Sequence, residues 1–142
     1  MLDQQRYQME NEVLSTYLPS TAYRFMDMHT ANPYLVMGVM TNHGKAYTIR
    51  IDLANYPQNV PEVYVTKMLR TKDGAVMDSP SAAMHTLSTK YGFTRICHYG
   101  SASWSYRVSL YKIYIKCRLW LEIYELHLKT GKPMDYYLNH QR

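Results

Sequence analysis

The spacing of apolar residues changes twice along this chain. Leu2, Met9, Val13 and Leu14 recur at loose helical spacing, which predicts a short helix over 3–17 that Pro19 ends. Residues 21–28 alternate loosely between apolar and polar. Residues 34–40 and 46–53 are richer in Val, Ile and Tyr and read as strands. Asn42-His43-Gly44 between them is a turn signal, so these two strands are expected to form a hairpin. Pro57 and Pro61 then break pairing, and residues 62–68 alternate as a fourth strand. Residues 70–103 carry Gly, Ser, Pro and Asp throughout and read as a long irregular loop, a feature usually kept for function. The strongest helical pattern spans 105–129. Val108, Tyr111, Ile115, Leu119, Glu122 and Leu126 form its stripe, and Leu110, Tyr114, Cys117, Leu121 and Tyr124 widen it. Ser103 or Ser105 is the expected N-cap, and Gly131 with Pro133 closes the helix. One more short helix is expected over 133–139. The reading is a single α+β domain over 1–142: an N-terminal helix, a four-stranded antiparallel meander, a long active-site loop and a long C-terminal helix.

Composition narrows the function classes. The formal net charge is +5, but no basic run exceeds two residues, so an ordinary basic surface is a better reading than a nucleic-acid stripe. Tyrosine occurs 15 times against 2 for Phe, and 10 methionines add adaptable apolar surface, which suits a docking face or a tyrosine-rimmed core. Two cysteines do not make a disulfide framework. The first residues contain no apolar signal-peptide core, and no stretch reaches the length of a membrane span. The expectation is a cytoplasmic protein with free thiols and no membrane contact.

Candidate chemistry concentrates in residues 84–104. Cys97 lies in a Gly-, Ser- and Thr-rich stretch, where a thiolate has access to substrate and serves as a nucleophile forming a thioester. The competing reading is a half-buried structural thiol. His98 follows directly and is a candidate to stabilise the thiolate or act as base, if a turn brings it round. His85 is a candidate to orient the loop or contact the reacting carbonyl. Cys117, among Ile115, Arg118 and Leu121, is read as core. His29, His43, His127 and His140 are dispersed, and the cysteine spacing matches no zinc site, so neither metal nor cofactor is expected. No Gly-rich phosphate loop and no GxSxG motif occurs.

The element order and three motifs resemble the ubiquitin-conjugating enzymes over about residues 1–130. Tyr56-Pro57 followed by Pro61 and a strand resembles that family's turn before its fourth strand. His85-Thr86-Leu87 sits where the family carries His-Pro-Asn. Ile96-Cys97 followed by Trp104-Ser105 and a helix resembles the family's catalytic cysteine, its Trp-Ser-Pro and its second helix. More narrowly, MHTL…GFTRICHY and the helix YKIYIKCRLWLEIYELHLKTGKPMDYYL are similar to the stand-alone conjugating-enzyme-like proteins of bacterial cyclic-oligonucleotide antiphage (CBASS) operons.

That resemblance implies a bacterial cytoplasmic cysteine-dependent acyl transferase. Its partner would be a cGAS-like nucleotidyltransferase, whose C-terminus is carried on Cys97 as a thioester. The implied site is Cys97 with His98 and His85, the loop being supported by Thr86, Ile96, Trp104 and Tyr106. The chain departs from the family where Thr86-Leu87 replaces the oxyanion-steadying asparagine: Leu has no donor, so a backbone N–H, Thr86 or His85 would have to serve. Tyr106 stands where the family has proline, in a position to gate the site. The missing asparagine favours a second reading, a catalytically silent docking module on the same fold. A third, a small cysteine hydrolase or redox protein, lacks a carboxylate next to either histidine, with Asp78 as a spatial candidate, and the chain has no CxxC.

Overall fold

The computed structural model describes residues 2–138 and shows an α+β architecture in which a helix leads, a six-stranded antiparallel sheet follows and a long helix closes. The first helix, α1, spans Gln4–Tyr17. Asp3 caps it by accepting from the Arg6 N–H, and Leu18 ends it just before Pro19. Its inward face is Leu14 and Glu10, while Met9 is half exposed, so the expected stripe is rotated.

The hairpin forms as expected from β2 (Tyr34–Met40) and β3 (Ala46–Asp52), with Met40 opposite Ala46 across the Asn42–Gly44 turn. The flanking strands are shorter than the pattern suggested: β1 is Tyr23–Met26 and β4 is Val63–Val65. Leu35, Met37, Val39, Tyr47, Ile49, Ile51, Val63 and Val65 line one face and are buried, as period-two alternation requires.

The main correction concerns residues 70–103. They hold two further strands, β5 (Thr86–Lys90) and β6 (Phe93–Ile96), and the sheet order is β1-β2-β3-β4-β6-β5. The sheet therefore has six strands, not four. β5 is an edge strand of Thr, Leu, Ser, Thr and Lys in which only Thr86 is buried, so it carries no hydrophobic signature. Its turn is a two-residue loop, Tyr91-Gly92, with φ of 62° and 72°. Such turns usually announce themselves with Asn-Gly or Asp-Gly. Here tertiary contacts hold tyrosine in the left-handed region: its ring meets Tyr64 edge-on at 5.4 Å, and Arg50 lies 4.4 Å from its centroid.

The long helix, α2, spans Leu110–Thr130. Its cap is Ser109, which accepts from the Lys112 N–H, not Ser103 or Ser105. Residues 101–103 are instead a single 3-10 turn. Gly131 closes α2 at φ 79°, as expected. The buried stripe is Leu110, Ile113, Tyr114, Cys117, Trp120, Leu121, Tyr124 and His127. Ile115 and Leu119, assigned inward from spacing, are exposed on the opposite flank. Both sets have helical period, and only the sheet decides which one is covered. A short α3, Met134–Leu138, packs back against α2. His140 lies outside the described residues.

Candidate active site

Cys97 follows the last residue of β6, and β6 decides where it stands. Thr86 pairs with Ile96, so the next residue pair is His85 and Cys97; the Cys97 N–H donates to the His85 carbonyl at 3.0 Å. The hairpin thus brings together two candidates twelve residues apart. His85 adopts φ 51°, an uncommon backbone state for a residue with a side chain. Three contacts hold it there. Its carbonyl also accepts from Trp120 Nε1 at 2.9 Å, and its Nε2 lies 2.7 Å from Asp135 Oδ1 of α3. The Asp135 N–H in turn donates to the Ala83 carbonyl at 2.8 Å. Asp135, and not Asp78, is the carboxylate at His85; nothing in its local sequence signals that role, because 50 residues separate the pair.

A second set of contacts fastens the chain that follows Cys97. Trp104 Nε1 donates to the Pro57 carbonyl at 2.9 Å, and the Trp104 ring meets Tyr56 and Tyr99 edge-on. The Tyr56-Pro57 peptide is cis. The Tyr56 hydroxyl donates to the Val108 carbonyl at 2.7 Å and accepts from Arg6 at 2.8 Å. Burial, followed by the Glu10 charge, pushes this phenol well above its ordinary pKa. Trp104 thereby ties its segment to the Tyr-Pro turn. Ile96 is fully buried and anchors the strand end. Tyr106 is exposed and touches Arg107.

Two expected roles meet a different geometry. The Thr86 hydroxyl is buried and donates to the Ser79 carbonyl at 2.8 Å, so its proton is already committed within the fold. His98 is driven down to about 4, chiefly by burial, with Lys116 and Arg95 adding to the effect against an opposing backbone hydrogen bond at Ile96. At neutral pH it is an uncharged ring. It offers no cation to a thiolate and is a weak base. Its Nε2 and the Tyr99 hydroxyl are buried with no hydrogen-bond partner among the described residues. Among the described residues, none hydrogen-bonds the Cys97 sulfur.

The helix beside this segment contributes a residue that sequence reasoning missed. Lys116 Nζ lies 3.4 Å from the His98 carbonyl and 3.9 Å from the Tyr99 ring centroid. Lys116 sits seven residues into α2, beyond the first turn in which a helix dipole acts. Its amine pKa is lowered, first by burial and then by Lys112, while Cys117 and Cys97 oppose that shift.

The two thiols differ sharply. Cys97 is partly exposed; Cys117 is fully buried, and burial drives its thiol far above the ordinary value. Cys97 is therefore expected to react with iodoacetamide roughly tenfold or more faster than Cys117 in the folded protein. Peptide mapping of a time course measures this, and equal rates would remove the basis for a reactive Cys97.

His43, Glu122 and Glu125 offer ligand atoms within 4.8 Å of one another. Their hydrogen bonds make them a tie between the β2–β3 turn and α2: Glu125 accepts from Thr41 and Tyr47, and Glu122 from the Asn42 N–H. His127 is buried between the Lys72 N–H and the Lys132 carbonyl, and His29 is exposed. Among the described residues no helix is long and apolar enough to cross a membrane. No family model, curated protein or solved structure matches this chain.

Proposed function

We propose that this protein is a cysteine-dependent acyl carrier of the ubiquitin-conjugating type. In this reading it is a bacterial antiphage (CBASS) component that accepts the C-terminus of a cGAS-like nucleotidyltransferase as a thioester on Cys97. The observation that carries the reading is the position of Cys97 itself. A partly exposed thiol ends a strand and is tied through its backbone to His85. It stands beside a loop that Trp104 fastens to a Tyr-Pro turn. A fixed nucleophile on a rigid strand end, with an open approach, suits transthioesterification. The leading helix, the antiparallel meander, the Tyr56-Pro57 turn and the Trp104-to-helix order support the family assignment.

In this mechanism the Cys97 thiolate attacks the activated carbonyl of the donor, and the donor's own thiol or other leaving group departs. His85, held by Asp135, orients the loop. Oxyanion stabilisation falls to backbone N–H groups, since the Thr86 hydroxyl is engaged elsewhere. Loss of one such donor costs about a hundred- to a thousandfold, so a slow transferase is expected. The engaged Thr86 and the neutral His98 also favour the second reading, a docking module without turnover.

Intact mass spectrometry of the protein purified with its nucleotidyltransferase, with and without a reducing thiol, separates the two. The expected result is an adduct of the partner's mass, lost on thiol treatment and absent in Cys97→Ala. Tight co-purification with no adduct would leave only the docking module.

A further inference from the structure

Lys116 is the functional group around Cys97 for which neither the sequence motifs nor the carrier mechanism supplies a role. We propose that Lys116 is an acceptor amine for the acyl group carried on Cys97, so that the protein conjugates its cargo to itself. The inference rests on the carrier reading and extends it to the acceptor.

The geometry favours delivery. The Lys116 amine is held over residues 98–99 by two contacts, the His98 carbonyl at 3.4 Å and the Tyr99 ring at 3.9 Å. Both belong to residues directly following Cys97. The lysine projects from α2, so its base is rigid while its flexible four-carbon stem carries the amine to those contacts. Neither contact is an ion pair, and no carboxylate lies within ion-pair distance of this ammonium among the described residues. No carboxylate therefore holds it in the charged form. Burial and the neighbouring Lys112 lower its pKa, which raises the fraction of nucleophilic free amine. The low-lying pKa of His98 keeps a competing cation out of the segment at neutral pH.

The step balances without a co-reactant. The neutral Lys116 amine attacks the thioester carbonyl. The new C–N bond forms as the C–S bond breaks, and the electron pair leaves on the Cys97 sulfur. The amine's surplus proton passes through water to that thiolate, restoring the thiol. Holding the amine beside the thioester makes the transfer intramolecular, the arrangement in which effective concentration is highest. The product is an isopeptide amide that thiols do not reverse.

The test uses the full chain and a short glycine-ending peptide with a C-terminal thioester, so neither the partner nor an activating enzyme is needed. Intact mass before and after thiol treatment, followed by peptide mapping, reads both linkages. The expected result is an initial thiol-labile adduct on Cys97 that converts to a thiol-resistant adduct on Lys116. Conversion should be faster at higher pH. Lys116→Arg keeps the charge and should lose the resistant adduct while the labile one accumulates; Cys97→Ala should lose both. A stable labile adduct in the wild type, or a resistant adduct mapping to another lysine, overturns the acceptor role and leaves the carrier intact. A Lys116 adduct that persists in Cys97→Ala overturns the relay. If the wild type forms neither adduct, the carrier reading itself fails.

Discussion

Replacing Glu10 with Ala is expected to destabilise the fold by about 3–5 kcal/mol, the usual cost of removing one partner from a buried charge pair. Glu10 is 1% exposed, yet it is a carboxylate near the middle of a helix. One oxygen accepts from Arg6 Nε at 2.8 Å, and the other accepts from the Leu110 N–H at 2.7 Å. Leu110 opens α2, so Glu10 satisfies one of that helix's unpaired donors from a residue 100 positions away and places a negative charge at the positive end of the helix. Arg6 extends the network to the Tyr56 hydroxyl and the Val108 carbonyl. Alanine strands the guanidinium and the helix N–H together. Urea titrations of wild type and Glu10→Ala measure the effect, and thermal melts should show a fall in Tm on the order of 10 °C. The same variant is expected to loosen the Tyr56-Pro57 turn and, through the Trp104 indole, the Cys97 loop. A loss below about 1 kcal/mol would mean that water replaces both partners.

Acidification is expected to weaken the protein between about pH 6.5 and pH 4 through His98. Burial holds this imidazole at about 4 in the folded chain, against 6.5 when unfolded. In that window the unfolded state binds the proton and the folded state does not, so stability rises with pH across it and is lost as pH falls. Above 6.5 the group has no effect, and below 4 the loss is complete. The displacement corresponds to roughly 3 kcal/mol at full extent. His98→Phe removes the titration while keeping a ring against Tyr99. Its stability should be flatter than wild type over the same interval, as chemical denaturation at a series of pH values will show. Equal slopes for the two proteins would mean that His98 is hydrated in solution.

Both effects arise from contacts that no local pattern announces, and the same division runs through the candidate site. Cys97, His85 and Trp104 were legible as residue types in a suggestive order. Asp135, Lys116 and Tyr99, which surround or hold them, were not, because Asp135 and Lys116 belong to helices whose own periodicity accounts for them. Ser109 displaced the expected caps of α2 since several serines precede that helix and only the packed N-terminus selects one. β5 escaped notice because an edge strand buries a single residue, and its tyrosine-glycine turn depends on Arg50 and Tyr64 from other strands.

What the chain determined by itself lies within single elements: the hairpin of 34–52, the glycine stop at 131, the proline-bounded turn at 56–61, and one partly exposed against one buried cysteine. These follow from period, turn chemistry and capping, all of which act over a few residues. Only the tertiary structure decided which face of α2 is covered, that the 70–103 segment closes the sheet, and that Glu10, Asp135 and Lys116 meet their partners. Those outcomes depend on pairings 18 to 100 residues apart, where burial and charge compensation are settled by the whole fold and leave no trace in the neighbouring sequence.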